Sequence, residues 1–206
     1  APEIVSALKK LGSSFDVASR GEVDLCLGLG ADPAKVSFGN TIKKERDIAY
    51  AWARGVRLYA FDSEAELEKL ARAAPGSRVF CRILVDSAGA EWPLSRKFGC
   101  APEMAMDLLR RARDMGLDPY GVSFHVGSQQ TNLEQWDGAV GRVAQVFSAL
   151  AKADIELKMV NIGGGFPARY DKEVAGVETY AAAVMRAITR HFGNALPEII
   201  VEPGRS

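Results

Sequence analysis

Apolar positions along the chain follow two alternating rhythms. Runs of strand length occur at Ser14–Ser19, Lys35–Asn40, Arg57–Asp62, Arg78–Val85, Tyr120–Ser128, Met159–Gly165 and Glu198–Ser206. Between them, apolar residues recur every three or four positions, the period of a helix with one buried face. Pro2 followed by Ile4, Val5, Leu8 and Leu11 predicts a first helix, with Gly12 suited to its stop. Further helices are expected over Gly21–Gly30 and Lys43–Arg54. Ser63 with Glu66 three residues later reads as a capping box, opening a helix that ends near Pro75-Gly76. After Pro102 the spacing of Met104, Leu108, Ala112 and Met115 predicts a helix ending at Gly116, reached through a longer loop with Gly89, Trp92 and Pro93. Asn132 with Gln135 suggests the cap of a helix carrying Trp136, Val140, Val143, Phe147 and Leu150, and a last helix runs through Tyr180, Val184 and Ile188.

Strands apolar on both faces, strictly alternating with helices over short connections, imply a parallel sheet covered by helices. Seven such strands, with a helix already in place before the first, suggest an eighth strand ahead of Ala1. Eight would close an α/β fold of the (β/α)8 TIM-like barrel type. An open doubly wound sheet is the competing arrangement, since strand order cannot be read from one sequence. The chain opens at a helix and closes directly after an apolar strand, so residues 1–206 read as one barrel domain, incomplete at both ends.

Composition adds bounds. The chain has 206 residues, 48% hydrophobic and 25% charged, ordinary for a soluble globular domain. Lys plus Arg balances Asp plus Glu at 26 each, which gives no footprint for nucleic acid. No apolar run approaches the roughly 20 residues of a membrane span. Cys26, Cys81 and Cys100 lack metal-ligand spacing and read as buried, reduced thiols of a cytosolic protein, with no metal site.

In a barrel of this kind, chemistry gathers at the carboxyl ends of the strands. Those ends supply Asp16, Asn40, Asp62, His125 with Gly127-Ser128, Gly163-Gly164-Gly165, and Glu202-Pro203-Gly204-Arg205. Three successive amides without Cβ atoms can form a nest for an anion. GGGFPA also fits a dinucleotide fingerprint, but Phe166-Pro167 opposes a helix starting on the third glycine. If the missing strand is the first, the glycine loop ends strand seven and EPGR ends strand eight, the corner where barrels frequently bind phosphate. There the loop amides and Gly204 would hold phosphate with Arg205, whose guanidinium can hold it through two bonds. Glu202 then either pairs with Arg205 or faces a protonated ligand nitrogen. His125 is either a satisfied core histidine or a residue stacking on a flat ring, with the Ser128 hydroxyl as donor. A ring of that kind bearing phosphate and a protonated nitrogen matches pyridoxal 5′-phosphate (PLP).

The segments FDVAS, SFGN-T-IK, VFCRILVD, KFG, GVSFHVGSQ, NIGGGFP and VEPGRS occur in that order. Together they resemble the alanine racemase-like barrel domain of the fold type III PLP-dependent decarboxylases. That family includes ornithine, lysine/ornithine, diaminopimelate and biosynthetic arginine decarboxylases, and GGGFP looks more like the ornithine branch than the diaminopimelate one. The resemblance implies that His125 stacks on the cofactor ring. Ser128, Gly163, Gly164, Gly165, Gly204 and Arg205 would hold the phosphate, and Glu202 would keep the pyridine nitrogen protonated. It places Asp16 and Arg82 near the cofactor and its lysine, and gives no firm role to the Ser95–Gly99 loop. The family's cofactor-linked lysine would precede Ala1, and its second β domain, which completes the site across a homodimer, would follow Ser206. Accordingly the segment alone is expected to be inactive, and the complete protein to decarboxylate a basic L-amino acid such as ornithine or lysine in polyamine biosynthesis. A diaminopimelate or arginine decarboxylase of the same family is an alternative. So is a non-catalytic, antizyme-inhibitor-like homologue that uses the barrel to bind a protein. Alanine racemase and small PLP-carrier relatives share the barrel but fit SFHVGSQ with GGGFP poorly.

Overall fold

The computed structural model describes residues 1–92, 97–170 and 173–204. Within them the chain forms α1 (Pro2–Lys10), β1 (Phe15–Val17), α2 (Arg20–Gly28), β2 (Val36–Phe38), α3 (Glu45–Ala53), β3 (Leu58–Phe61), α4 (Glu64–Ala73) and β4 (Arg78–Arg82). It continues with β5 (Ala90–Trp92), α5 (Pro102–Asp114), β6 (Asp118–Ser123), β7 (Ser128–Gln130), α6 (Glu134–Ala151), β8 (Met159–Asn161), α7 (Val177–Phe192) and β9 (Glu198–Ile200).

Seven strands form one parallel sheet in the order β1-β2-β3-β4-β6-β8-β9. Each strand lies beside the next sheet strand in the chain, with no reversal of order. A doubly wound sheet needs such a reversal, so this topology is that of a barrel wall. The wall curls: the Asp16 carboxylate at the end of β1 feels the charge of Glu202, just past β9 at the opposite edge.

Period-two alternation sorts the strand residues between the two faces. Tyr59, Phe61, Val79 and Cys81 face outward into the main core, with Leu67 and Leu70 of α4 and Leu109 and Ala112 of α5. Leu58, Ala60, Phe80 and Met159 form a smaller cluster inside the curl, with Tyr120 and Ile200 against it. Two residues beyond Phe80, Met159 and Ile200 come Arg82, Asn161 and Glu202. The inner face therefore changes from apolar to polar and charged at the carboxyl ends.

Several sequence expectations change at this level. The expected strand Tyr120–Ser128 stops at Ser123, and Ser128 opens a separate short strand. That strand, β7, pairs antiparallel with β5, which lies in what was read as a loop. The Ser63 hydroxyl caps α4 by accepting from Glu66 N–H, but the Glu66 carboxylate does not complete the box. It turns to Lys43 and Lys69 instead. Asn132 serves the start of α6 from one residue further out than a cap: Leu133 holds the cap position without a side-chain bond, and Asn132 Oδ1 accepts from Glu134 N–H, the first of the helix. Residue 43 lies outside α3 and is buried. Finally, the apolar face of α1 is only partly covered: Ile4 and Leu8 are exposed, at 60% and 41%, while Val5 packs against the core.

Candidate cofactor site

The glycine triplet follows β8, where the chain must pass between the ends of β6 and β9. A Cβ on Gly163 would strike Phe124 O, one on Gly164 would lie 2.5 Å from Glu202 O, and one on Gly165 would strike Gly127 O. Gly163 and Gly165 also adopt positive φ, +65° and +99°. What comes so close to this backbone is thus, first, the backbone of its neighbours. This crowding by itself requires the missing side chains, whether or not an anion also approaches.

That crowding leaves two amides free to serve a ligand. Gly163 N–H is taken by Asn161 Oδ1 at 2.8 Å. Among the described residues, Gly164 N–H and Gly165 N–H have no protein acceptor. The carbonyls on either side are anchored: Gly163 O accepts from Glu202 N–H and Gly165 O from Gln130 N–H, both at 2.9 Å. The amide of Gln129 makes two bonds with the backbone of Ala168, at 2.8 and 3.0 Å, fastening β7 to the far side of the loop. Phe166 stacks on Trp136 of α6, ring centroids 5.3 Å apart, and meets Tyr180 of α7 edge-on. The loop is therefore braced from both sides before any ligand arrives.

A hollow of about 100 Å³ opens at this corner, lined by His125, Ser128, Gln129, Gly164, Gly165, Phe166, Glu202 and Gly204. A second, of about 30 Å³, adjoins it beside Arg82, Ser123, Asn161 and Gly39. His125 and Glu202 line both. The first hollow thus brings Gly164, Gly165 and Ser128 together with the His125 ring and the Glu202 carboxylate, and the second shares its His125 and Glu202 walls.

His125 Nδ1 accepts from Gly127 N–H at 2.9 Å, so the neutral ring carries its hydrogen on Nε2. Burial first, and the Arg82 charge second, push its pKa down to about 4. A neutral imidazole offers a flat, polarisable face without competing for protons. The Glu202 carboxylate is oriented by the Asn161 side-chain amide, which donates to Oε1 at 2.6 Å. Burial lowers the Arg82 pKa, while Glu202 and Asp62 draw it back up.

Asp16 accepts from the Ser37 hydroxyl at 2.7 Å and presses on Gly39, where a Cβ would collide with its carboxylate. Although water reaches it across the open edge of β1, Asp16 is pushed up to about 7, by burial first and by Glu202 second. Asp16 itself lines neither hollow and reaches the second only through Gly39.

Of the candidates read from sequence, His125, Ser128, Gly164, Gly165, Glu202 and Gly204 line the first hollow and Arg82 the second. Gly163 lines neither; it ties Asn161 to the loop. Asp16 adjoins the second hollow through Gly39. Arg205 lies outside the described residues, as do Ser95 and Arg96 of the Ser95–Gly99 loop. The rest of that loop is engaged: Phe98 lies 5.6 Å from the Arg82 guanidinium, and Gly99 N–H donates to Asp62 at 2.8 Å. Sequence reading missed Asn161 and gave Asp62 no partner. Asn161 had a signal, a polar residue inside an apolar strand. Asp62 was noted as a strand end, but its partner is 37 positions away.

The chain matches the family described as pyridoxal-dependent decarboxylase, pyridoxal binding domain, over residues 1–206. It is 38% identical to the lysine/ornithine decarboxylase of Selenomonas ruminantium, covering 99% of this chain and 52% of that protein. It is also 38% identical to the ornithine decarboxylase of Rattus norvegicus, over 98% of this chain and 44% of that one. The solved lysine decarboxylase from Selenomonas ruminantium superposes with a TM-score of 0.92 at 36% identity, covering 99% of this chain and 53% of that one. The chain thus spans about half the length of these relatives. The unpaired amides, the flat neutral imidazole and the oriented carboxylate suit a cofactor with a phosphate, an aromatic ring and a basic ring nitrogen. On the match along its whole length, the chain belongs to the PLP-dependent decarboxylases and forms their pyridoxal-binding barrel domain.

Proposed function

We propose that the full-length protein is a carboxy-lyase that removes CO₂ from a basic L-amino acid, ornithine or lysine, to leave a diamine for polyamine biosynthesis. The observation that carries this reading is the convergence on one depression of the Gly164 and Gly165 amides, the Ser128 hydroxyl, the His125 ring and Glu202. The ornithine and lysine decarboxylases named above support the basic substrate.

PLP, when bound, supplies the electron sink that decarboxylation needs. The chain's own residues account for how it would be held. Gly164 N–H, Gly165 N–H and Ser128 would take the phosphate, with Gly204 and Arg205 proposed as further holders. His125, kept neutral, would cover a ring face. Glu202, fixed by Asn161, would hold a proton on the ring nitrogen by presenting its negative charge there. Arg82 feels the charges of both Glu202 and Asp62, so that Glu202 is not the sole charge on the inner face. Asp16, raised towards neutrality, would lie near the cofactor at the β1 edge. The resemblance adds a homodimer, for which sedimentation of the full-length protein is the check.

The test measures CO₂ release by the PLP-loaded full-length protein from L-ornithine, L-lysine, L-arginine and meso-diaminopimelate. We expect turnover of ornithine or lysine well above the other two. PLP binding without release of CO₂ from any of the four would overturn the catalytic reading and favour the antizyme-inhibitor-like one.

A further inference from the structure

Cys81 and Cys100 meet sulfur to sulfur on the outer face of β4. Their Sγ atoms lie 3.6 Å apart, and the residues are 0% and 6% exposed. The backbone holds them in place. Cys100 N–H donates to Arg82 O at 3.0 Å, and Leu84 N–H donates to Cys100 O at 2.8 Å. The turn 97–100 is thereby laddered onto the extension of β4, and Asp62 pins it again through Gly99 N–H. Two reduced thiols are thus kept in van der Waals contact. Because Cys100 stands opposite Ile83, two residues beyond Cys81, closing to the 2.03–2.05 Å or so of a disulfide takes a shift of the turn 97–100 as well as side-chain rotation. Among the described residues no group of three His, Cys, Asp or Glu could hold a metal ion, so the donors around this pair do not suit a metal centre.

We infer that Cys81 and Cys100 form a reversible dithiol–disulfide site, oxidised by a hydroperoxide, that clips the turn bearing Phe98 to the strand bearing Arg82. The two sulfurs are unequal, which sets the order of events. Burial, and then Cys100 itself, hold the Cys81 thiol well up, whereas the hydrogen bond from Cys81 pulls the Cys100 thiol down. Cys100 is the first nucleophile. Its sulfur attacks one oxygen of the hydroperoxide, the O–O bond breaks, and an alcohol (or water) leaves. Cys100 is now a sulfenic acid. Cys81 sulfur then attacks Cys100 sulfur, the S–O bond breaks, and hydroxide departs with the Cys81 proton as water. Two thiols and one hydroperoxide give one disulfide, one alcohol and one water. The sulfurs lose two electrons and the peroxide gains them. Because Phe98 lies against the Arg82 guanidinium and Arg82 lines the cofactor depression, the clip stiffens one wall of the site.

The experiment uses the reduced full-length protein, treated with hydrogen peroxide, alkylated under denaturing conditions and digested for mass spectrometry. We expect the Cys81 and Cys100 peptides to be joined, two hydrogens lighter than their sum. We expect Cys26 to be recovered alkylated, dithiothreitol to restore both thiols, and the oxidised protein to melt at a higher temperature. In Cys81→Ser, Cys100 should react with a sulfenic-acid trap such as dimedone instead of cross-linking. Recovery of Cys81 and Cys100 as separate alkylated peptides, at a peroxide dose that oxidises Cys26, would overturn the inference. So would irreversible oxidation of Cys100 with Cys81 still free.

Discussion

Asn161 joins the glycine loop to the acid across from it: its side-chain amide donates to Glu202 Oε1 at 2.6 Å while its carbonyl oxygen accepts from Gly163 N–H at 2.8 Å. One residue thus sets both where the loop amides point and where the carboxylate faces. A hydrogen bond to a charged group contributes about 1.5–3 kcal/mol, which is about a ten- to hundred-fold change in an equilibrium constant. Asn161→Ala should weaken PLP binding by about that factor in equilibrium titration of the full-length protein. Asn161→Asp should weaken it further, because a second negative charge would then face Glu202.

The three glycines are unequal in what they tolerate. Gly165 has φ +99° and lies against Gly127 O, whereas Gly164 has an ordinary φ and lies only against Glu202 O. A left-handed conformation alone costs a residue with a side chain roughly 1–2 kcal/mol. In denaturant titration Gly165→Ala should lose more stability than Gly164→Ala, by about that amount. Equal losses would mean that the loop relaxes freely.

The alternation of the strands, the barrel order and the clustering of polar residues at strand ends were legible because they follow from a period of two and from connection length. The separate β7 was not. Gly127 breaks the extended run after His125, and the antiparallel partner Ala90–Trp92 lies far back in the sequence. The triplet was legible as a special backbone, but its crowding was not: carbonyls of Phe124, Gly127 and Glu202, from the segments after β6 and β9, press on it, and no local pattern announces neighbours that distant in sequence. The Cys81–Cys100 contact and the Asp62–Gly99 bond were hidden for the same reason.

Asp16 and His125 should make stability depend on pH in opposite senses. Asp16 is raised from 3.8 to about 7, so the folded form holds a proton that the unfolded chain releases. Its contribution is full below the unfolded value and is lost as pH rises towards 7. His125 is lowered from 6.5 to about 4, so the unfolded chain takes the proton first. Its contribution is present above 6.5 and is lost as pH falls towards 4. Chemical denaturation of the cofactor-free full-length protein between pH 4 and 7 should show the two partly cancelling. Asp16→Asn should leave stability rising with pH across that range. His125→Asn should leave it falling.

Lys43 supports the rim from below. Its ammonium, fully buried, bonds Asn40 O at 2.6 Å, Ala60 O at 2.5 Å and Glu66 Oε1 at 3.0 Å, and burial pulls its pKa down to about 8. Removing one member of a buried ion pair costs about 3–5 kcal/mol, because the other charge is stranded. Lys43→Met should fall near the low end, since Lys69 still reaches Glu66. The double variant Lys43→Met/Glu66→Leu should regain part of the loss in thermal unfolding.

The most direct measurement of where the cofactor sits is a crystal structure of the full-length protein with PLP bound. We expect the phosphate within hydrogen-bond distance of Gly164 N–H, Gly165 N–H and the Ser128 hydroxyl. The ring should lie against His125, with its nitrogen facing Glu202. A phosphate held elsewhere, or a ring nitrogen turned away from Glu202, would contradict the assignment of this depression.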